Sequence, residues 1–147
     1  MIEYINAISK QIMKKFPKSP IYIEGEPAEF IRPSFYITLV AGDNDEMNRR
    51  LYKETVTFQI VYFGEMSEFG HPNLESQFSA FRKLQSLFNK GYIPVEDRVS
   101  KITNINLDKR QNEVYIDLTM YLIKPKDEEE ESYEIMQELY LDTKRED

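Results

Sequence analysis

The sequence predicts an α+β domain: a two-layer sandwich in which a mainly antiparallel sheet of two hairpins carries two helices on one face, followed by a C-terminal helix. Three observations predict it. Residues from Ser34 to Gly64 read as one long β-hairpin around the charged loop DNDEMNRR. A second hairpin runs from Val99 to Ile123, and its later arm alternates Val114, Ile116, Leu118, Met120 and Leu122 with polar or aromatic residues. Two amphipathic stripes at helical spacing, Ile2–Phe16 and Leu74–Phe88, supply a covering layer.

The first stripe consists of Ile2, Ile5, Ile8, Ile12 and Phe16, widened by Ala7 and Met13. Lys14 and Lys15 suit the negative end of its dipole, and Pro17 and Pro20 stop it. A short strand, Ile21 to Glu24, follows. GEPAEFIRP then reads as a connector, because Pro27 and Pro33 interrupt any ladder. In the long hairpin, Phe35 to Val40 carries β-branched and aromatic residues on both faces and reads as a central strand. Its partner sends Tyr52, Val56, Phe58, Ile60 and Tyr62 one way and Thr55, Thr57 and Gln59 the other. Asn73 or Pro72 opens the second helix, whose stripe is Leu74, Phe78, Phe81, Leu84, Leu87 and Phe88; Gly91 ends it. The arm VSKITNINL anchors Ile102, Ile105 and Leu107 with broken parity, as a bulge would produce. Pro125 ends the sheet. Residues 1–125 thus form the domain, and 126–147 form an acidic linker and a terminal helix striped by Tyr133, Met136, Leu139 and Tyr140.

Composition narrows function. The 147 residues carry a formal net charge of -7, the wrong sign for a protein that grips nucleic acid. The absence of cysteine removes disulfides, thiolate metal sites and cysteine nucleophiles together. The first sixteen residues lack the unbroken apolar core of a signal peptide, and no run approaches the roughly 20 apolar residues of a membrane span. His71, the single histidine, sits in a Gly–Pro loop with no recognisable catalytic partner. The tip loop Asp43-Asn44-Asp45-Glu46 resembles half a calcium loop, but the required spacing and the twelfth-position acid are missing. The five glycines fall at element boundaries and build no phosphate cradle. The expectation is therefore no catalysis, no cofactor and no metal.

What remains is contact surface. The tip offers Asp43, Asp45, Glu46, Arg49 and Arg50, charges of both signs on a long arm. The strand face of Tyr115, Asp117, Thr119 and Tyr121 is either an ordinary exposed face or a partner surface carried by Tyr115 and Tyr121. The terminal stripe of Tyr133, Met136 and Tyr140 either folds back or reaches a neighbour.

Three segments carry a resemblance across most of the chain. They are MIEYINAISKQIMKKFP leading into IYIEGEP, then RPSFYITLVAGDNDEMNRRLYKETVTFQIVYFG, and finally LESQFSAFRKLQSLF with RVSKITNINLDKRQNEVYIDLTMYLIK. In order and character these resemble the phage tail terminator and minor tail-completion family of tailed phages, prophages and contractile bacteriocin-like particles. The resemblance implies a structural ring, usually a hexamer, at the neck-proximal end of the virion tail, assembled in the bacterial host cytoplasm. It implies partners in the tail tube protein, the sheath and the head-neck connector, with DNA passing through unbound. A head-closure or connector protein is the alternative within the structural class. A small metal- or ligand-binding domain is the alternative outside it.

Overall fold

The computed structural model describes residues 1–24, 31–67, 69–110 and 113–126. Two helices and six strands appear in the order α1 (Ile2–Lys15), β1 (Ile21–Ile23), β2 (Ser34–Glu46), β3 (Leu51–Phe63), α2 (Leu74–Phe88), β4 (Tyr92–Val95), β5 (Arg98–Arg110) and β6 (Glu113–Pro125). All six strands join one sheet, ordered β1-β2-β3-β6-β5-β4.

This overturns the expected sandwich of two hairpins with a C-terminal helix. The sheet is mixed: β1 lies parallel to β2, pairing Ile21 with Phe35 and Ile23 with Ile37. The two hairpins are fused edge to edge, because β3 and β6 are neighbours. The Thr57 and Thr119 hydroxyls meet at 3.0 Å, and Gln59 Nε2 donates to Asp117 at 3.3 Å, so ascending numbers on one strand meet descending numbers on the other. That sense is antiparallel. A further strand, β4, folds onto β5 through Glu96-Asp97, with Glu96 in the left-handed region at φ 55°. Pro94 lies within this strand. It is tolerated because β4 lies at the end of the sheet, where a missing N–H costs no ladder bond. The terminal helix expected over Tyr133–Tyr140 lies outside the described residues.

The chain divides into two compact units, Met1–Asp43 with Thr55–Leu122, and Asn44–Glu54 with the segment from Ile123 onward. The first contains the core. Even-numbered residues of β3 from Val56 to Tyr62 and of β6 from Val114 to Leu122 are buried, among them Phe58, Ile60, Ile116, Leu118 and Met120. They meet Tyr4, Ile8 and Ile12 of α1 and Ala80, Leu84, Leu87 and Phe88 of α2. Phe16, at the end of α1, stacks edge-on with Phe35 at 4.9 Å, and Phe35 lies 5.0 Å from Tyr62. These three rings tie α1 to β2 and β3 and add to area burial.

Both helical stripes are rotated from expectation. In α1, Ile2 is 72% exposed, whereas Tyr4 is fully buried and lies 6.3 Å from Phe58. In α2, Leu74 and Phe78 are about half exposed, whereas Gln77 and Ala80 are buried. The Gln77 amide donates to the Glu113 carbonyl at 3.4 Å, which lets a polar side chain occupy a core-facing position. Asn73 caps α2, its side chain accepting from the Ser76 N–H at 3.1 Å. In β5 the register shifts between Ile102 and Asn104, a bulge that restores the inward aim of Ile105 and Leu107.

The rotation of α2 is directly measurable. Phe88→Ala is expected to cost about 3–5 kcal/mol in urea unfolding, the usual loss for a buried ring. Phe78→Ala is expected to cost under about 1 kcal/mol, since its ring is largely solvated. Equal losses would contradict the observed helix rotation.

Candidate assembly interface

The hairpin turn is organised by Asn48. Its side-chain oxygen accepts from the N–H groups of Arg50 (2.8 Å) and Leu51 (2.9 Å), while the Met47 and Asn48 N–H groups donate to the Leu51 carbonyl. Such an Asx turn holds a tight reversal without glycine. It fixes the backbone beneath Arg49 and Arg50 and leaves both residues exposed. Asp43 and Asp45, on β2, are exposed as well. The side chains of Asp43, Asp45, Arg49 and Arg50 form no ion pair or hydrogen bond among the described residues.

Glu46 is different. Lys126 donates to its carboxylate, and the Lys126 N–H donates to the Arg50 carbonyl at 2.8 Å. Beside this pair, Lys124 bonds Glu54 at 2.8 Å, with both side chains largely shielded from solvent. The second unit is thus a small charged cluster in which the end of β6 meets the turn of β2 and β3. The sequence reading missed Lys124 and Lys126. Their positions flanking Pro125 were the available signal, hidden because Pro125 reads as the end of the sheet.

Hydrogen bonding from Lys126, and then its positive charge, hold the Glu46 carboxyl below its ordinary range. The sign of the linkage follows. The pair contributes fully above the usual glutamate pKa of about 4.3 and fades as pH falls through the lowered value. Because Glu46 is exposed, the contribution to global stability is small.

The tyrosine face belongs to the first unit. Tyr115 donates its hydroxyl to Glu113, and the Arg110 guanidinium lies 4.6 Å from its ring centroid. The bond to Glu113, followed by partial burial, raises the Tyr115 phenol above its ordinary value. Asp117 and Thr119 face Gln59 and Thr57 across the sheet, so they are engaged in the join between hairpins. Ser100 donates to the Tyr121 carbonyl at 2.9 Å. Tyr115 and Tyr121 themselves are half-buried. Tyr133, Met136 and Tyr140 lie outside the described residues. Among the described residues no group of three or more His, Asp or Glu side chains is placed to hold a metal ion, and no helix is long and apolar enough to cross a membrane.

The sequence model of one family, described as phage tail terminator protein, matches residues 3–132. The chain belongs to the phage tail terminator family. This terminator therefore has a terminating role in tail assembly, a place in the virion tail and other tail proteins as partners. The family is a structural one. No curated protein matches the chain. One solved structure, which carries no descriptive name, aligns with 84% of the terminator and 94% of its own chain, at 13% identity and a TM-score of 0.40. A likeness of that size carries no argument.

Replacing Lys126 with Ala is expected to return the Glu46 carboxyl toward the ordinary glutamate pKa, as read by carbonyl-carbon NMR titration. An unchanged Glu46 titration would show that Lys126 is not its partner in solution.

Proposed function

We propose that this terminator closes into a ring, six subunits in the simplest case, that caps the finished tail tube and stops its growth. The far side of the ring offers the surface to which the head-neck connector attaches, and the sheath where the tail is contractile. Subunits join head to tail and close by rotation, as heterologous contacts do. The acidic balance of -7 suits a channel that DNA traverses without being held.

The observation that carries this reading is the set of charges that have no ion pair or hydrogen bond among the described residues. Asp45, Arg49 and Arg50 are exposed on an ordered turn, with opposite signs side by side. Ordered, unpaired charges are what a docking surface needs for steering and register. Tyr115, Tyr121, Tyr133, Met136 and Tyr140 are proposed as contact residues as well.

The test is mass measurement in solution with and without purified tail tubes, with electron microscopy of the tube ends. Rings at tube ends are expected. Arg49→Glu with Arg50→Glu is expected to slow association with tubes by about tenfold or more at low salt. The deficit should shrink as salt rises, since exposed charges are screened over about 8–10 Å at 0.1–0.15 M. Unaltered association in the charge-reversed variant would remove the turn from the interface.

A further inference from the structure

The sheet has two incomplete edges. β1 pairs with β2 only over Phe35 to Ile37, and β2 continues to Glu46. Beyond Ile37, the Leu39 N–H donates to the Glu24 carboxylate at 2.7 Å, and the Thr38 hydroxyl donates to the same group. From Val40 to Asp43 no described residue pairs with that edge of β2. At the opposite end of the sheet, β4 pairs with β5 only from Arg98 to Lys101, and the Ile102 N–H donates to the Gly91 carbonyl. From Thr103 onward, no described residue pairs with that edge of β5. A groove lined by Asn89, Gly91, Thr103 and Asn104 runs beside it.

We infer that the open edge of β2 pairs with the open edge of β5 in a second copy of this chain, so that the sheet continues from subunit to subunit around the ring. The inference deepens the ring reading above and rests on it.

Topology and charge both favour this occupant. Passing from β2 through β3 and β6 to β5 reverses direction three times, so β2 and β5 run antiparallel. A copy set beside the first in the same orientation therefore continues the sheet with an antiparallel pair, the more stable kind. The strand β2 carries Asp43, Asp45 and Glu46 and no basic residue. The strand β5 carries Arg98, Lys101, Lys109 and Arg110 against one acid, Asp108. Pairing β2 with β2 would crowd Asp43 and Asp45 of both copies, and pairing β5 with β5 would crowd the bases. Only β2 with β5 joins opposite charges, and it does so between different surfaces, the condition for a closed ring rather than a two-fold dimer.

The chain has no cysteine, so introduced thiols report without background. Asp43→Cys is combined in turn with Asn104→Cys, Asn106→Cys and Asp108→Cys, and each assembled sample is treated with a short bis-maleimide. The linker spans the roughly 7–8 Å of a diagonal cross-strand pair, so neighbouring registers are covered. At least one combination is expected to yield a ladder of covalent multimers ending at the ring size. Rings that form without any cross-link in the three combinations overturn the edge pairing and leave the ring reading standing. Absence of rings from the unsubstituted protein at tube ends overturns both.

Discussion

The antiparallel join between β3 and β6 decides what the rest of the chain can be. On one face of this seam Thr57 meets Thr119 and Gln59 meets Asp117. On the other, Val56, Phe58 and Ile60 lie beside Ile116, Leu118 and Met120, all fully buried. A hydrogen bond between neutral hydroxyls contributes about 0.5–1.5 kcal/mol, whereas each buried apolar side chain contributes about 1.5–3 kcal/mol. Burial therefore supplies most of the stability at the seam, and the polar pairs select its register. With the seam formed, one continuous apolar surface exists for α1 and α2 to cover, and the outer strands have a template on which to add.

Much of the local structure was legible because periodicity reports it directly. Ile8 and Ile12, Leu84 and Leu87, and the alternation through β6 are signals that need no tertiary knowledge. The fold class was not legible, because it depends on which strand edges meet. Thr57, Gln59, Asp117 and Thr119 read as a solvent face in isolation, and only pairing reveals them as partners of one another. The exact facing of each helix was hidden for a related reason. Spacing defines a stripe but not its rotation against the sheet, so Ile2 and Phe78 turned outward while Tyr4 and Gln77 turned in. For the candidate interface, Asp45, Arg49 and Arg50 stood out as charges at a reversal. The Asn48 turn and the lysines flanking Pro125 could not be anticipated without knowing that the end of β6 reaches the turn.

The two compact units differ in how they are held. The first relies on close apolar packing, in which neighbouring substitutions interact and volumes matter. Among the described residues, the second shows Glu46–Lys126, Glu54–Lys124 and a few backbone bonds at the turn.

The alternation of buried and half-buried residues from Val114 to Leu122 also limits how this chain can change length. Inserting one residue in the middle of β6 would invert every side chain beyond it, turning Met120 and Leu122 outward and Thr119 and Tyr121 into the core. Inserting two would restore the parity and move only the register. Relatives of this terminator that differ in length within the seam strands should accordingly differ by pairs of residues, while single insertions and deletions collect in the connections.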